Sequence, residues 1–471
     1  MDFIGRQAEM DVLENQYRLD HPFVLMYGRR RVGKSTLIKR FISGKTALYY
    51  QVDDDLDSTF LPSFGRAVSD ALGMSGVSFA TWNDAFETYV ENTPGRKVIV
   101  IDEFQYLMMS DKGTLRRFQS IWDNYLSARD VMLILCGSYL TMMKNISSDY
   151  NNPLYQRNTA ELHIRPLPFD VVSKGEDHRR DVEEYAITGG VPYYMKLLDP
   201  DLEPVRNAAN LIIRLGAPLI NEPEHLLSRE FRSNGSYNGF LRTVAEGNSK
   251  SADISSATSL TSSECAPYLD RLQTVGMVRR DVPITEEDPK HSRKGLYRVS
   301  DNFMALWYRF AYPYHRDLDA GDYEEAEQNL MEHFVDGHVS YVFEDVCLQV
   351  LRSKLRSLNI VARYGRYWDK KVEIDVAAID SKHGTVYLGE CKYWNRPVDA
   401  KVLSSLMSKR DSVRAFDGYT VRYCAFSVSG YTDAAIAFAD ENDFMLFDSG
   451  RLLSEPRPGV MHLEPHVRRG P

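Results

Sequence analysis

The stretch "GRRRVGKST", residues 28–36, decides the fold. Two glycines stand five apart, and a lysine and a serine follow the second. Ahead of it, "PFVLMY" (22–27) is an unbroken apolar run, as a strand buried on both faces requires. Behind it, "KSTLIKRFI" (34–42) carries Leu37, Ile38, Phe41 and Ile42 at helical spacing. Strand, glycine loop and helix in that order form a phosphate cradle. Gly28 and Gly33 let the backbone N–H groups of Arg29, Arg30, Arg31, Val32 and Thr36 turn toward an anion. Lys34 has the reach for the β- and γ-phosphates, and the Ser35 hydroxyl can ligate magnesium. The helix N-terminus adds its positive dipole. ATP and Mg2+ are the expected ligands. The three arginine side chains are expected to be solvated, because main-chain amides line such a loop. Contact with a partner or nucleic acid is the alternative.

A second stretch supports the first. "RKVIVIDEFQYL" (96–107) is a β-branched strand ending in Asp102 and Glu103. Asp102 suits magnesium ligation through a water, and Glu103 suits orientation of the attacking water. "VMLILCGS" (131–138) is a third strand. Its last residue, Ser138, is expected either to hydrogen-bond the γ-phosphate or to cap the helix "YLTMMK".

"FIGRQAEMDVL" (3–13), the phosphate loop, "VIVIDEFQYL", "LILCGSYLTMM" and "PLYQRNTAELHIRPLPF" follow one another here. In that order they resemble prokaryotic AAA+/STAND-type ATPases of the archaeal ATPase family. "AITGGVPYYMKLL" (186–198) is similar to that family's GGxP lid segment. The resemblance implies that Phe3 to Arg6 lie near the adenine and that Pro192 packs on the nucleotide. It also implies that Arg157 stands where the family has an arginine, as a γ-phosphate sensor. A structural ion pair is the alternative role for Arg157, and Arg165 is the other candidate sensor. Gln156 replaces the family's usual glycine there.

Length and composition set the frame. The 471 residues suffice for about three domains. A formal charge of −9 argues against a broadly basic nucleic-acid binder, though not against a local basic face. No apolar run is long enough for a membrane helix. The opening "MDFIGRQAEMD" lacks the apolar core of an export signal, and five scattered cysteines form no CxxC pair. A cytoplasmic location is therefore expected.

In the middle of the chain, 166–230 reads as helical, with "DVEEYAITGG" ending on glycines that suit a helix C-cap. "SADISSATSL" and "TSSECAPYLDRLQTVGMVRRDVPI" read as a helix-turn-helix followed by a wing strand. Ala266, Leu269, Leu272 and Val275 make its apolar stripe, and Gly276 ends the helix. "HSRKGLYRVSD" is the candidate wing, with His291, Arg293 and Lys294 at its base. Such a module can place its second helix in a major groove. Here that helix exposes Thr261, Ser262, Ser263 and Glu264 and few cations, so DNA binding, purely structural packing and protein binding all stay open. The aromatics of "YRVSDNFMALWYRFAYPY" (297–314) are expected in the core.

A second cluster lies near the C-terminus. A long amphipathic helix is expected over 331–357, with Phe343, Val346, Val350 and Leu351 on one side and Glu344 beside them. In "KVEIDVAAID" (371–380), alternation puts Val372, Ile374 and Val376 on one face and Glu373 and Asp375 on the other. "TVYLGECKYW" (385–394) places Glu390 and Lys392 on one strand face. Asp375 and Glu390 are hard-oxygen ligands for magnesium, with the Cys391 carbonyl as a third donor and Glu344 completing the shell. Lys392 can hold the attacking hydroxide or the leaving phosphate charge. The alternatives are half-exposed strand carboxylates, a plain Lys392–Glu390 pair, and a surface helix carboxylate at Glu344. D-x14-E-x-K with an upstream helical glutamate resembles the PD-(D/E)XK nuclease superfamily. His333, His338 and His383 show no ligand spacing and read as surface or satisfied polar residues.

The expected fold is therefore an α/β multidomain chain. A P-loop NTPase core with a parallel, AAA+-like sheet (1–165) precedes a helical lid (166–230) and a winged-helix-like module (231–314). A restriction-endonuclease-like α/β domain (320–450) and a disordered tail (451–471) follow. The expected function is magnesium-dependent ATP hydrolysis that drives domain rearrangement, with a nuclease-like site acting on DNA or RNA. The rival is an ATP-dependent regulatory switch with a non-catalytic C-terminal domain. Oligomeric state is not readable.

Overall fold

The computed structural model describes residues 4–54, 60–231 and 235–447. Phe3 and the tail lie outside the described residues. Two compact units are present. The first runs through Leu167 and also takes in Val191–Lys196 and residues 225–231. The second holds Pro168–Gly190, Leu197–Glu224 and the described chain from 235 onward.

The first unit is built on five strands: β1 (Phe23–Tyr27), β2 (Ala47–Gln51), β3 (Lys97–Asp102), β4 (Val131–Gly137) and β5 (Ala160–His163). They form one sheet in the order β2-β3-β4-β1-β5, every pairing parallel. Strands β1, β3 and β4 are buried along their whole length, which explains their near-continuous apolar sequences. Alternate side chains feed two cores. Phe23, Leu25, Ile99, Ile101, Leu133 and Leu135 face one. Val24, Met26, Val98, Val100, Met132 and Ile134 face the other, against Leu37, Ile38 and Phe41 of the helix Lys34–Ile42. Because β3, β4 and β1 are neighbours and parallel, the residues that follow them gather along one edge. That edge is where ligands bind in open α/β sheets.

The second unit carries a helical part, a hairpin and a mixed sheet. The helix His178–Thr188 ends on Gly189 at φ +59°, as the sequence led us to expect. The region 166–230 is divided between the two units. Helices Gly235–Ala245, Ser251–Thr258 and Ser262–Thr274 precede an antiparallel pair, β6 (Val278–Asp281) and β7 (Leu296–Val299). Thr261 and Glu264 close a capping box at the start of the third helix, so these exposed polar residues serve the helix end. Its buried side is Cys265, Leu269 and Leu272, whereas Ala266 is exposed. A strict three-residue step drifts off a 3.6-residue face, which is why the expected stripe missed Cys265. Phe303, Trp307, Tyr308 and Phe310 are core residues.

The expected helix over 331–357 is interrupted. Glu324–Phe334 passes through a π-helical turn, Val335–Val339, before Ser340–Ser357. Strands β8 (Arg363–Trp368), β9 (Glu373–Asp380), β10 (Thr385–Lys392), β11 (Thr420–Ser427) and β12 (Phe444–Phe447) follow, in the order β12-β11-β10-β9-β8. β8, β9 and β10 pair antiparallel, and β10, β11 and β12 pair parallel. Helices Ala400–Asp411 and Asp433–Glu441 supply the parallel crossovers.

Candidate functional site

The phosphate loop leaves β1 at Gly28. A Cβ there would lie 2.2 Å from the Ile164 carbonyl oxygen, so only glycine fits. Gly33 turns at φ +95°, a region open to glycine without penalty, and starts the helix Lys34–Ile42. Lys34 is buried, and its ammonium donates to the carbonyls of Gly28 (2.8 Å) and Arg29 (3.2 Å). Val32 is buried beneath the loop and Thr36 is exposed. Arg6 braces the turn by donating to Val32 O (3.0 Å) and Arg165 O (2.5 Å).

The arginines depart from expectation. Arg30 alone is exposed. Arg31 lies 4.4 Å over the ring of Tyr193, and Arg29 lies 5.5 Å over that of the fully buried Tyr194. Both rings belong to Val191–Lys196, whose Pro192 Cγ stands 3.9 Å from a Cβ built on Gly33. The glycine-proline segment is thus packed on the loop, and cation–π contacts take the place of solvent.

The acids of β3 are held by neutral donors. Asp102 is fully buried; one of its oxygens accepts from Ser35 Oγ and Tyr49 OH, both at 2.7 Å, and the other from Glu103 N at 2.9 Å. Burial and the adjacent Asp102 carboxylate push the Tyr49 phenol well above its ordinary value. Glu103 sits at φ +55°. Its Oε2 accepts from Gln105 Nε2 (2.6 Å) and Ser138 Oγ (2.7 Å). Gln105 is fully buried and also accepts from Ser138 N (3.1 Å), so it ties the ends of β3 and β4 together. Ser138 does not cap the following helix; the capping position is Tyr139. Tyr49 and Gln105 were missed from sequence, since a neutral polar residue announces no such role. Arg157 forms a two-pronged ion pair with Asp123, at 2.8 Å and 2.9 Å, the structural alternative to a phosphate sensor. The Ser35 hydroxyl and Asp102 oxygen are adjacent hard donors, which suits magnesium.

The second cluster forms across β9 and β10. The last pair of the ladder is Gly389 with Val376, and Glu390 and Asp375 are the next residues on their strands. Asp375 Oδ2 accepts from Cys391 N at 2.8 Å. Burial, then the nearby Glu390 and Glu344, push the Asp375 carboxyl up to about 7. Glu390 is buried and takes one ammonium on each oxygen, Lys392 and Lys409, both at 2.7 Å. Burial alone would lower the Lys392 ammonium, but Glu390 and Asp375 outweigh it and raise it. Lys409, from the helix Ala400–Asp411, was not foreseen. Glu344 is half-buried and pairs with Arg366 and with Arg298 (3.4 Å). It interacts with Asp375 electrostatically while its own charge is met by arginine. Among the described residues, no three His, Cys, Asp or Glu side chains are grouped to hold a metal ion, so Glu344 does not complete a carboxylate shell. What remains is two carboxylates, a donor set that magnesium accepts when waters and substrate oxygens fill the rest. His383 pairs with Asp380, and His338 is buried with a bond to Ala186 O.

The loop between β6 and β7 carries two local pairs. His291 meets Asp288 and Lys294 meets Glu286, each at 2.7 Å.

A strand, a glycine loop with a buried lysine, and an acidic strand end beside it define a P-loop ATPase domain. Residues 3–198 match the family of ATPase domains predominantly from Archaea, and 307–405 match a family of archaeal and bacterial proteins of unknown function. The chain belongs to the archaeal ATPase family, with that second domain on its C-terminal side. "Uncharacterized protein MJECL04" of Methanocaldococcus jannaschii is 27% identical over 95% of this chain and 99% of its own. "Uncharacterized ATP-binding protein MJ0423" of the same organism is 41% identical over 44 residues, 9% of this chain and 75% of its own. Among solved structures, the Walker-type ATPase PABY2304 of Pyrococcus abyssi is 18% identical with a TM-score of 0.49, over 65% of this chain and 96% of that one. The ORC2 protein of Aeropyrum pernix, solved as ADPNP-ADP complexes, is 13% identical with a TM-score of 0.44, over 71% and 96%. Among the described residues, no helix is long and apolar enough to cross a membrane.

Proposed function

We propose that magnesium-dependent ATP turnover in the first unit drives a domain rearrangement, and that the second unit acts on nucleic acid through Asp375, Glu390 and Lys392. The observation that carries the second half is the pairing across β9 and β10. It brings two carboxylates near each other, and burial first, then Glu390 and Glu344, raises the Asp375 carboxyl to about 7. Bound magnesium supplies Lewis acidity, neutralising triphosphate charge in the first unit and making a water more acidic in the second. In the first unit, Lys34 moves from the loop carbonyls to the phosphates. Ser35 and Asp102 supply oxygens, and Glu103, aimed by Gln105 and Ser138, takes the water's proton. Arg157 is proposed as the brace of Asp123 rather than as a sensor. In the second unit, Lys392 and Lys409 hold phosphate charge once they leave Glu390. All five cysteines are free and buried, in keeping with a reducing, cytoplasmic setting.

A second proposal, a regulatory switch without cleavage, draws support from the same site. Each of Glu390 and Glu344 is already matched by two cations. One assay separates the two. The purified full chain is incubated with single- and double-stranded DNA and RNA, with magnesium or manganese, with and without ATP. Cleavage that Asp375→Ala abolishes supports the nuclease; no cleavage under any condition leaves the switch.

A further inference from the structure

We infer that Trp394 is a nucleobase-stacking platform beside the Asp375–Glu390 site, and that the second unit takes nucleic acid with unpaired bases. This rests on the proposal that the unit acts on nucleic acid and adds the substrate class.

The segment "KYWNRP" (392–397) leaves the end of β10 directly after Lys392. Its backbone is fixed at two points. The Trp394 carbonyl accepts from Arg179 (2.7 Å) and from Ser429 Oγ (2.6 Å). Val398 N donates to Gly430 O at 2.9 Å, and its carbonyl accepts from Thr432 N at 3.0 Å. The loop between those anchors is therefore presented rather than loose.

Tyr393 turns inward. It is buried, bonded to Glu183 at 2.8 Å and covered by Arg179 at 4.8 Å. Trp394 is only half-buried. Two cations attend its ring: Arg396 at 4.9 Å and Lys392 at 5.7 Å from the centroid. Arg396 is exposed. A chain with a net charge of −9 has here placed an aromatic face among cations, next to paired carboxylates.

That combination fits one ligand chemistry. Cations meet phosphates, and an indole face meets a base. Duplex bases are already stacked and offer no free face without paying for unstacking; a single strand, flap or loop offers one at once. Pre-fixing the loop spares the ligand the entropy of ordering it.

The test is equilibrium binding, so it does not depend on cleavage. The full chain is titrated against fluorescent single-stranded oligonucleotides, deoxy and ribo, and a blunt duplex of equal length, with chelator present. Wild type is expected to bind the single strands at least about ten-fold more tightly than Trp394→Ala does. Trp394→Phe, which keeps a ring, should recover most of the loss. Arg396→Ala should weaken both oligonucleotides by a smaller factor and reduce the salt slope by about one. A circular dichroism spectrum and thermal melt of Trp394→Ala that match wild type report intact folding. The proposal is overturned if Trp394→Ala binds single strands within two-fold of wild type, if wild type binds none, or if wild type prefers the duplex. Failure of the nuclease proposal looks different: single strands bind through Trp394 but no substrate is cut.

Discussion

Two acidic sites in one chain are stabilised in opposite ways. At the end of β3, Asp102 and Glu103 are held by neutral donors: Ser35, Tyr49, Gln105 and Ser138. Their negative charge is oriented but not cancelled. At β9 and β10, Glu390 and Glu344 are met by Lys392, Lys409, Arg366 and Arg298. The first arrangement keeps a field ready for a cation and a triphosphate. In the second, cations already sit on both carboxylates, so a metal or a phosphate has to compete with ammonium and guanidinium groups in place. A site of the first kind should lose its function when one group is removed. A site of the second kind should show its character in how stability responds to charge.

The largest effect is expected at Lys34. Its ammonium is the buried cation of the loop, and Lys34→Ala should abolish ATP uptake measured by calorimetry. Affinity kept within a few-fold of wild type would overturn the assignment of the loop. Next is Glu103→Gln, which keeps the hydrogen-bonding shape but not the base. ATP should still bind while turnover falls by about 100-fold or more. Unchanged turnover would mean that another group orients the water.

The comparison sharpens at Asp375. Its carboxyl is pushed from 3.8 to about 7 by burial and then by Glu390 and Glu344. Between those values the folded chain holds a proton that the unfolded chain gives up. Its contribution to stability is complete below about pH 4 and is lost as pH rises through about 7. In metal-free protein, Asp375→Asn should therefore match wild type near pH 4 and exceed it at pH 8, by roughly a few kcal/mol at most. Thermal melts at the two pH values check this. An equal gap at both would show that Asp375 is not the proton carrier.

Gln105 is a positioning residue with a smaller expected effect. Gln105→Ala removes the amide that spans Glu103 and Ser138. kcat should fall by about ten-fold with KM for ATP unchanged, because Gln105 acts by aiming Glu103. A change in KM alone would place Gln105 in nucleotide binding instead.

Sequence legibility divides along the same line. The phosphate loop was legible because strand, glycines and helix lie within twenty residues of one another. The strand faces of Asp375 and of Glu390 with Lys392 were legible because a period of two fixes which strand residues share a face. What stayed hidden came from far along the chain. Tyr49 reaches Asp102 across 53 residues, and Arg366 reaches Glu344 across 22 from another strand. Lys409 arrives from a helix whose sequence reads as an ordinary exposed face. The division of 166–230 between two units was hidden for the same reason, since no local periodicity marks which body a segment packs on.

The smallest effect concerns the loop arginines, and it bears directly on how the first site keeps its charge. Arg31 rests on Tyr193, a ring that is 40% exposed, and Arg29 on the fully buried Tyr194. A ring attracts a guanidinium without neutralising it, so the loop gains packing and stays positive, unlike the carboxylate pairs of β10. An exposed contact of this kind contributes about 0.5–1 kcal/mol, and a desolvated one about 2. Arg31→Ala should thus weaken ATP affinity about two- to five-fold, Arg29→Ala should weaken it more, and Arg30→Ala should leave it unchanged. A double-mutant cycle of Arg31→Ala with Tyr193→Ala isolates the contact, while Tyr193→Phe keeps the ring and should be silent. If Tyr193→Phe weakens ATP binding as much as Tyr193→Ala, the hydroxyl is what matters, and the arginines are held there for another reason.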